Sequence, residues 1–163
     1  MRTSVTQLRI GLVAALVALA ASLVVAGSSS AGRSSVAGAR HLTKAATVQT
    51  RKVGKLGTVL VNSKGFTLYI FVPDHHQKVT CKGGCAAVWP PLTVKKGQKP
   101  TAGGAAKKKL LGLDGRVVTY AHWPLYTYVI DKRPGQAKGQ AVHDTYGLWY
   151  VISPSGKVIK TKP

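Results

Sequence analysis

Glutamate is missing from this 163-residue chain, and only four Asp carry acidic charge against 24 Lys and Arg, a formal +20. Internal ion pairs cannot balance such an excess. It asks for an anionic partner or surface, or for self-repulsion that keeps the chain soluble. The standard catalytic signatures are missing as well: there is no G-x-S-x-G, no phosphate-binding glycine loop and no H-E-x-x-H. No nucleic-acid-binding module is present, and the basic residues fall mainly in stretches of flexible composition. These absences point to a protein that is not an enzyme, needs no cofactor and has no specific nucleic-acid partner.

Long apolar runs are also scarce. The prominent one, "IGLVAALVALAASLVVAG" from Ile10 to Gly27, follows Arg2 and Arg9 and gives way to small residues. A basic start, an apolar stretch and a small-residue exit are the pattern of a secretory signal peptide, here 1–26, with Val24 and Ala26 suiting the positions three and one before the cut. The alternative is an uncleaved anchor, the only membrane attachment the sequence suggests, although a span needs ~20 apolar residues. No Cys lies near the exit, so an acyl anchor has no attachment point. Cleavage would remove Arg2 and Arg9 and leave 22 basic residues against 4 Asp, a formal +18.

Composition divides the rest. Residues 27–54 carry Ser, Ala, Gly and scattered basic residues, no aromatic and no apolar period, and read as a flexible basic linker. Ordering costs roughly 1–2 kcal/mol per residue, which such a stretch has too little apolar surface to offset. A second stretch, "KKGQKPTAGGAAKKK" at 95–109, holds Lys95, Lys96, Lys99, Lys107, Lys108 and Lys109 and reads as a mobile, solvated loop. A domain over 55–160 remains, made of two repeats at about 57–92 and 113–158 joined by that loop.

Strand-like runs dominate the domain. "TVLV" (58–61) and "FTLYIFV" (66–72) flank "NSKG" as a hairpin. "RVVTY" (116–120), after the turn signal "LDG", pairs with "LYTYVI" (125–130) across "AHWP". "LWYVI" (148–152) and "KVIK" (157–160) flank "SPSG" as a third hairpin. The one helix candidate, "GCAAVW" (84–89), is stopped by Pro90 and Pro91. The expected fold is mainly β, a small antiparallel hairpin-based domain with one short helix near Cys85–Trp89.

The repeats are marked by "GFTLYIF" (65–71) and "HWPLYTY" (122–128). Tyr69, Phe71 and Asp74 recur as Tyr126, Tyr128 and Asp131, 57 residues on. Side chains alternate along a strand, so Tyr69 and Phe71 share one face while Leu68, Ile70 and Val72 share the other. Tyr126 and Tyr128 match the aromatic face; Leu125, Thr127 and Val129 match the second. Both faces are mostly apolar, as in strands buried on both sides. The aromatics are therefore core, and their hydroxyls need partners. The Asp after each strand reads as a turn residue accepting backbone N–H bonds. The functional alternative, Asp74 and Asp131 converging as a carboxylate pair, has no sequence support.

With its Y-x-[FWY]-x-x-D copies, the chain resembles the secreted repeat family of bacteria, known mostly from predicted lipoproteins and without an established biochemical function. "TCKGGCAAVWPPL" (80–92), with Trp89, resembles the family's Cys-containing segment. "GLWYVISPSGKV" (147–158), with Trp149, resembles its closing hairpin. The likeness covers about 55–158. The chain departs from the family in lacking a lipobox Cys, in its dense basic residues, and in carrying His75 and His76 after the Asp. The resemblance implies a secreted or cell-surface protein and supplies no activity.

Cys81 and Cys85 are the two cysteines. Behind a signal peptide they meet an oxidising compartment and form a disulfide across Gly83 and Gly84, contributing about 2 kcal/mol on the chain-entropy estimate. The alternative makes His75, His76, Cys81 and Cys85 a copper or zinc site in a redox or metal-handling protein. Adjacent histidines pointing to opposite sides of an extended chain speak against it. His41, His122 and His143 stand isolated in the sequence. The functional expectation is a non-enzymatic binding or structural module that contacts anionic envelope polymers or lipid head groups through the six lysines of 95–109.

Overall fold

A computed structural model describes residues 47–74 and 78–163. The expected signal peptide, residues 27–46 of the expected linker, and His75 and His76 lie outside the described residues. Among the described residues, eight strands form three small antiparallel sheets. β1 (Val48–Lys52) pairs with β2 (Thr58–Asn62). β3 (Tyr69–Phe71) pairs with β7 (Trp149–Ile152), which pairs with β8 (Val158–Ile159). β4 (Leu111–Asp114) pairs with β5 (Val117–Tyr120), and β5 with β6 (Trp123–Pro124). The one α-helix among the described residues, α1, is Gly84–Val88. The mainly β, hairpin-based expectation holds, as does the short helix before Pro90.

The period-two pattern explains how the sheets pack. Val59 and Val61 of β2, Tyr69 and Phe71 of β3, and Trp149 and Val151 of β7 enter one core with Trp89, Tyr126, Cys81 and Cys85. Leu60, Leu68, Ile70, Leu125 and Ile152 enter a second core with Val48, Val118 and Tyr120. β3 thus lies between two apolar clusters, and neither of its faces meets water. The first motif copy is buried on both sides as read, whereas the second is not a strand beyond Pro124, and its Val129 and Ile130 are exposed.

The hairpins were only partly foreseen. Between Asn62 and Phe66 the turn closes as expected, with Asn62 Oδ1 accepting the Lys64 and Phe66 N–H groups, both at 3.0 Å. Pairing with β2 continues only through Val61–Thr67 and Leu68. β3 then leaves β2 and takes β7 as its partner, in the register Tyr69 to Val151 and Phe71 to Trp149. On the other edge Tyr69 meets Tyr126. A strand buried on both faces needs both edges hydrogen-bonded, and here β7 supplies one and Tyr126 the other. The second hairpin turns on two residues, Ala121 and His122 at φ 48° and 71°, rather than on "AHWP". That brings Tyr120 opposite Trp123 and ends the strand at Pro124 instead of carrying it to Ile130. The third hairpin, β7 to β8, forms as read, closed by Ser153 N–H to the Lys157 carbonyl at 2.9 Å.

Two stretches taken as flexible are built into the domain. Val48–Lys52, placed in the linker 27–54, is β1, with Val48 fully buried in the second core. One anchoring valine and a full antiparallel register outweigh a polar composition. The expected mobile loop 95–109 is pinned along β1: Val48 N–H donates to the Thr101 carbonyl at 3.0 Å and Gly103 N–H to the Val48 carbonyl at 2.8 Å. Ala105 N–H reaches Thr50 Oγ1 at 3.1 Å. Gly104 is required there, because a Cβ would lie 2.4 Å from Thr50 Oγ1 and its φ is +60°. All six lysines remain exposed.

Candidate functional site

The two motif copies meet at the centre of the first core. Tyr69 N–H donates to the Tyr126 carbonyl at 2.8 Å, and Tyr126 N–H returns to the Tyr69 carbonyl at 2.9 Å. About this reciprocal pair the copies exchange side-chain bonds. The Tyr69 hydroxyl donates to Asp131 Oδ2 at 2.6 Å, and the Tyr126 hydroxyl donates to Asp74 Oδ2. Each repeat's tyrosine is thus completed by the other repeat's aspartate.

Each aspartate also holds its own turn. Asp74 N–H donates to the Phe71 carbonyl at 2.9 Å and Asp131 N–H to the Tyr128 carbonyl at 3.1 Å, which explains the three-residue spacing within the motif. Asp74 Oδ1 accepts Thr80 N–H at 2.7 Å and Thr80 Oγ1 at 2.5 Å. Asp131 Oδ1 accepts Lys138 N–H at 2.9 Å. The turn role read from sequence is present, but it is half of what the carboxylate does. Asp74 and Asp131 each serve a different phenol and a different turn. Burial raises both phenols far above their ordinary range. The hydrogen bond to, and the charge of, Asp131 for Tyr69 and Asp74 for Tyr126 push in the same direction.

Around these pairs runs a stack of rings. Phe71 stacks on Trp149 at 4.3 Å, Trp149 on Trp89 at 3.9 Å, and Trp89 on Tyr128 at 3.9 Å. Tyr69 meets Trp89 edge-on at 5.4 Å and Tyr126 meets Trp149 edge-on at 5.3 Å. Both tryptophans are fully buried. Sequence reasoning missed Asp144, which accepts the Trp89 indole N–H at 2.8 Å. Burial alone would raise the Asp144 carboxyl. The donors Trp89, Tyr146 N–H and Gly147 N–H outweigh that and hold it below the usual carboxylate range. The Trp149 indole N–H contributes in the same direction, yet it is buried and makes no hydrogen bond of ordinary geometry. Gly139 was missed too: a Cβ there would lie 2.6 Å from Trp89 Cη2 and 2.9 Å from Tyr69 Cε1. So was Gln140, whose buried amide donates to the Ile159 and Thr161 carbonyls at 2.7 Å and accepts Val151 N–H at 2.8 Å. No local pattern marks their part in the core, because the partners there, Trp89 for Asp144, Trp89 and Tyr69 for Gly139, and Val151, Ile159 and Thr161 for Gln140, lie far along the chain.

Cys81 and Cys85 form the expected disulfide, buried against the aromatic core, with Cα atoms 5.3 Å apart. In that state neither sulfur is a thiolate ligand, so the Cys/His metal site loses two of its four members. Among the described residues no group of three or more His, Cys, Asp or Glu is placed to hold a metal ion.

The exchange of partners can be measured. In a double-mutant cycle, Tyr69→Phe and Asp131→Ala are expected to couple by about 0.5–3 kcal/mol. Tyr69→Phe and Asp74→Ala, which belong to the same motif copy but do not bond, are expected to add to within about 0.5 kcal/mol. Urea denaturation of the two cycles checks this. Stronger coupling within a copy than between copies would show that the bonds do not cross.

Neither a curated protein nor a solved structure matches the chain. No helix among the described residues is long and apolar enough to cross a membrane. The chain does match a family model over residues 50–93 and 112–153, one match for each motif copy, the first beginning within β1. By that match, which spans more than half its length, the protein belongs to the family described as a secreted repeat of unknown function.

Proposed function

We propose that the protein is a non-enzymatic module of the bacterial cell surface that adheres to anionic envelope components through the lysines of 95–109. The observation that carries this reading is where the four carboxylates go. Asp74 and Asp131 accept from tyrosines and from Thr80 or Lys138 N–H. Asp144 accepts from Trp89 and two backbone N–H groups, and Asp114 from Val79 N–H. Every one of these donors is uncharged. Among the described residues, no hydrogen bond accepted by an Asp comes from a Lys or Arg side chain. The exposed cations therefore find no counter-charge inside the fold. Lys95, Lys96, Lys99, Lys107, Lys108 and Lys109 are carried on a backbone tied to β1 and to the Tyr120 hydroxyl, which lowers the ordering cost of a multivalent contact.

The aromatic site supports a structural role beside this one, since its motif phenols and carboxylates are consumed by one another. Adhesion through exposed charge is screened beyond ~10 Å at 0.1 M salt. Retention on anionic vesicles or isolated cell wall is expected at low salt and is expected to fall steeply as salt rises. Replacing all six lysines by Gln is expected to remove most of it while each surface change alters stability by no more than about 0.5 kcal/mol. Equal retention of the wild type and the six-fold variant would place the contact elsewhere.

A further inference from the structure

Two of the six lysines do more than project into solvent. Lys99 and Lys108 line a surface pocket of about 270 Å³ whose other walls are Pro100, Leu111, Gly112 and Leu113. The pocket lies against β4, the outer strand of its sheet, and the two leucines are only partly buried against the second core. The backbone that carries its cationic rim is tied down. Lys99 and Pro100 run directly into Thr101, whose carbonyl accepts Val48 N–H, and Lys108 opens the 3-10 turn Lys108–Leu110 just after Lys107 N–H donates to the Tyr120 hydroxyl at 2.7 Å.

Resting on the anionic-surface reading above, we infer that this pocket is a lipid seat. The lysines pair with the phosphate of an anionic phospholipid, and Pro100, Leu111 and Leu113 cover part of its acyl chain. A purely polyanionic polymer matches the charge of the rim and leaves the apolar wall wet. An anionic amphiphile satisfies both, because ammonium groups and leucines stand side by side here as phosphate and hydrocarbon do at a bilayer surface. Size agrees: pockets for whole drug-sized ligands run from about 300 Å³ upward, so this one suits a short apolar segment and leaves the head group outside on the lysines. The sole Asp of β4, Asp114, has its Oδ2 turned to Val79 N–H.

The test compares a lipid with anions that lack hydrocarbon. Wild-type protein is sedimented with phosphatidylglycerol/phosphatidylcholine vesicles and, separately, mixed with polyphosphate, at ~0.1 M and ~1 M salt, where the screening length shrinks to ~3 Å. Polyphosphate binding should vanish at the higher salt, and vesicle binding should weaken but persist. Leu113→Asn, checked for an intact melting transition, should abolish the persistent part and leave polyphosphate binding unchanged. Lys99→Gln with Lys108→Gln should weaken low-salt vesicle binding about 30-fold. Because Leu113→Asn could disturb β4, the wild type supplies an independent readout. Short-chain phosphatidylglycerol should shift the NMR methyl signals of Leu111 and Leu113, and glycerol phosphate should not. Unmoved leucine methyls, or vesicle binding lost at ~1 M salt as completely as polyphosphate binding, would overturn the lipid seat while leaving anionic adhesion standing. Failure of vesicles and polyphosphate alike at ~0.1 M would overturn both.

Discussion

Replacing Trp89 by Ala is expected to lower stability by about 3–5 kcal/mol, a large share of the 5–15 kcal/mol typical of a domain. The ring is fully buried and stacks on Trp149 on one side and Tyr128 on the other, each at 3.9 Å. Tyr69 adds an edge contact, and the indole N–H is the side-chain donor to Asp144. Alanine removes a slab from the middle of a stack whose neighbours are held elsewhere: Trp149 by β7, Tyr69 by its bond to Asp131. They cannot close the gap, so a cavity remains and Asp144 loses its indole partner. Trp89→Phe keeps a stacking ring and loses the N–H, so it should cost less, about 1–3 kcal/mol. Urea denaturation of both variants checks the order. A cost under about 1 kcal/mol for Trp89→Ala would mean the stack is not what holds the first core.

Alkali should unfold this protein cooperatively, and Tyr69 and Tyr126 should be the main reason. In the unfolded chain their phenols ionise near 10.0, whereas in the fold both are raised well above that, first by burial and then by Asp131 and Asp74. The sign follows directly. Below the unfolded value both states hold the protons and stability does not depend on these groups. Above it the unfolded chain releases two protons that the fold retains, so stability falls by about 2.7 kcal/mol per pH unit. By about pH 12 the loss reaches ~5 kcal/mol. Phenolate absorbance of these two residues should rise together with loss of the folded signal. Tyr69→Phe or Tyr126→Phe should each reduce the slope of stability against pH by about 1.4 kcal/mol per pH unit. Two phenols titrating smoothly in a protein that stays folded would refute the assignment.

What the sequence alone determined is what depends on near neighbours and on composition. Alternation in "FTLYIFV" placed Tyr69 and Phe71 opposite Leu68 and Ile70, because the side-chain period of a strand is a local property. The "SPSG" turn, the helix stopped before Pro90, the Cys81–Cys85 bridge and the uncompensated charge were readable for the same reason. Tertiary structure alone decided who pairs with whom. Residues 48–52 became a strand because β2 offers an edge, although their own composition has too little apolar surface to order them. The lysine loop became fixed because Val48 and Thr50 accept and donate along its length. Asp74 and Asp131 follow their turns in sequence, yet their second oxygens go to the tyrosine of the other repeat, some 52 and 62 residues away. No periodicity encodes such a bond. It arises because Tyr69 and Tyr126 come together edge to edge in the core, where a buried hydroxyl must find an acceptor and the nearest free one belongs to the opposite copy.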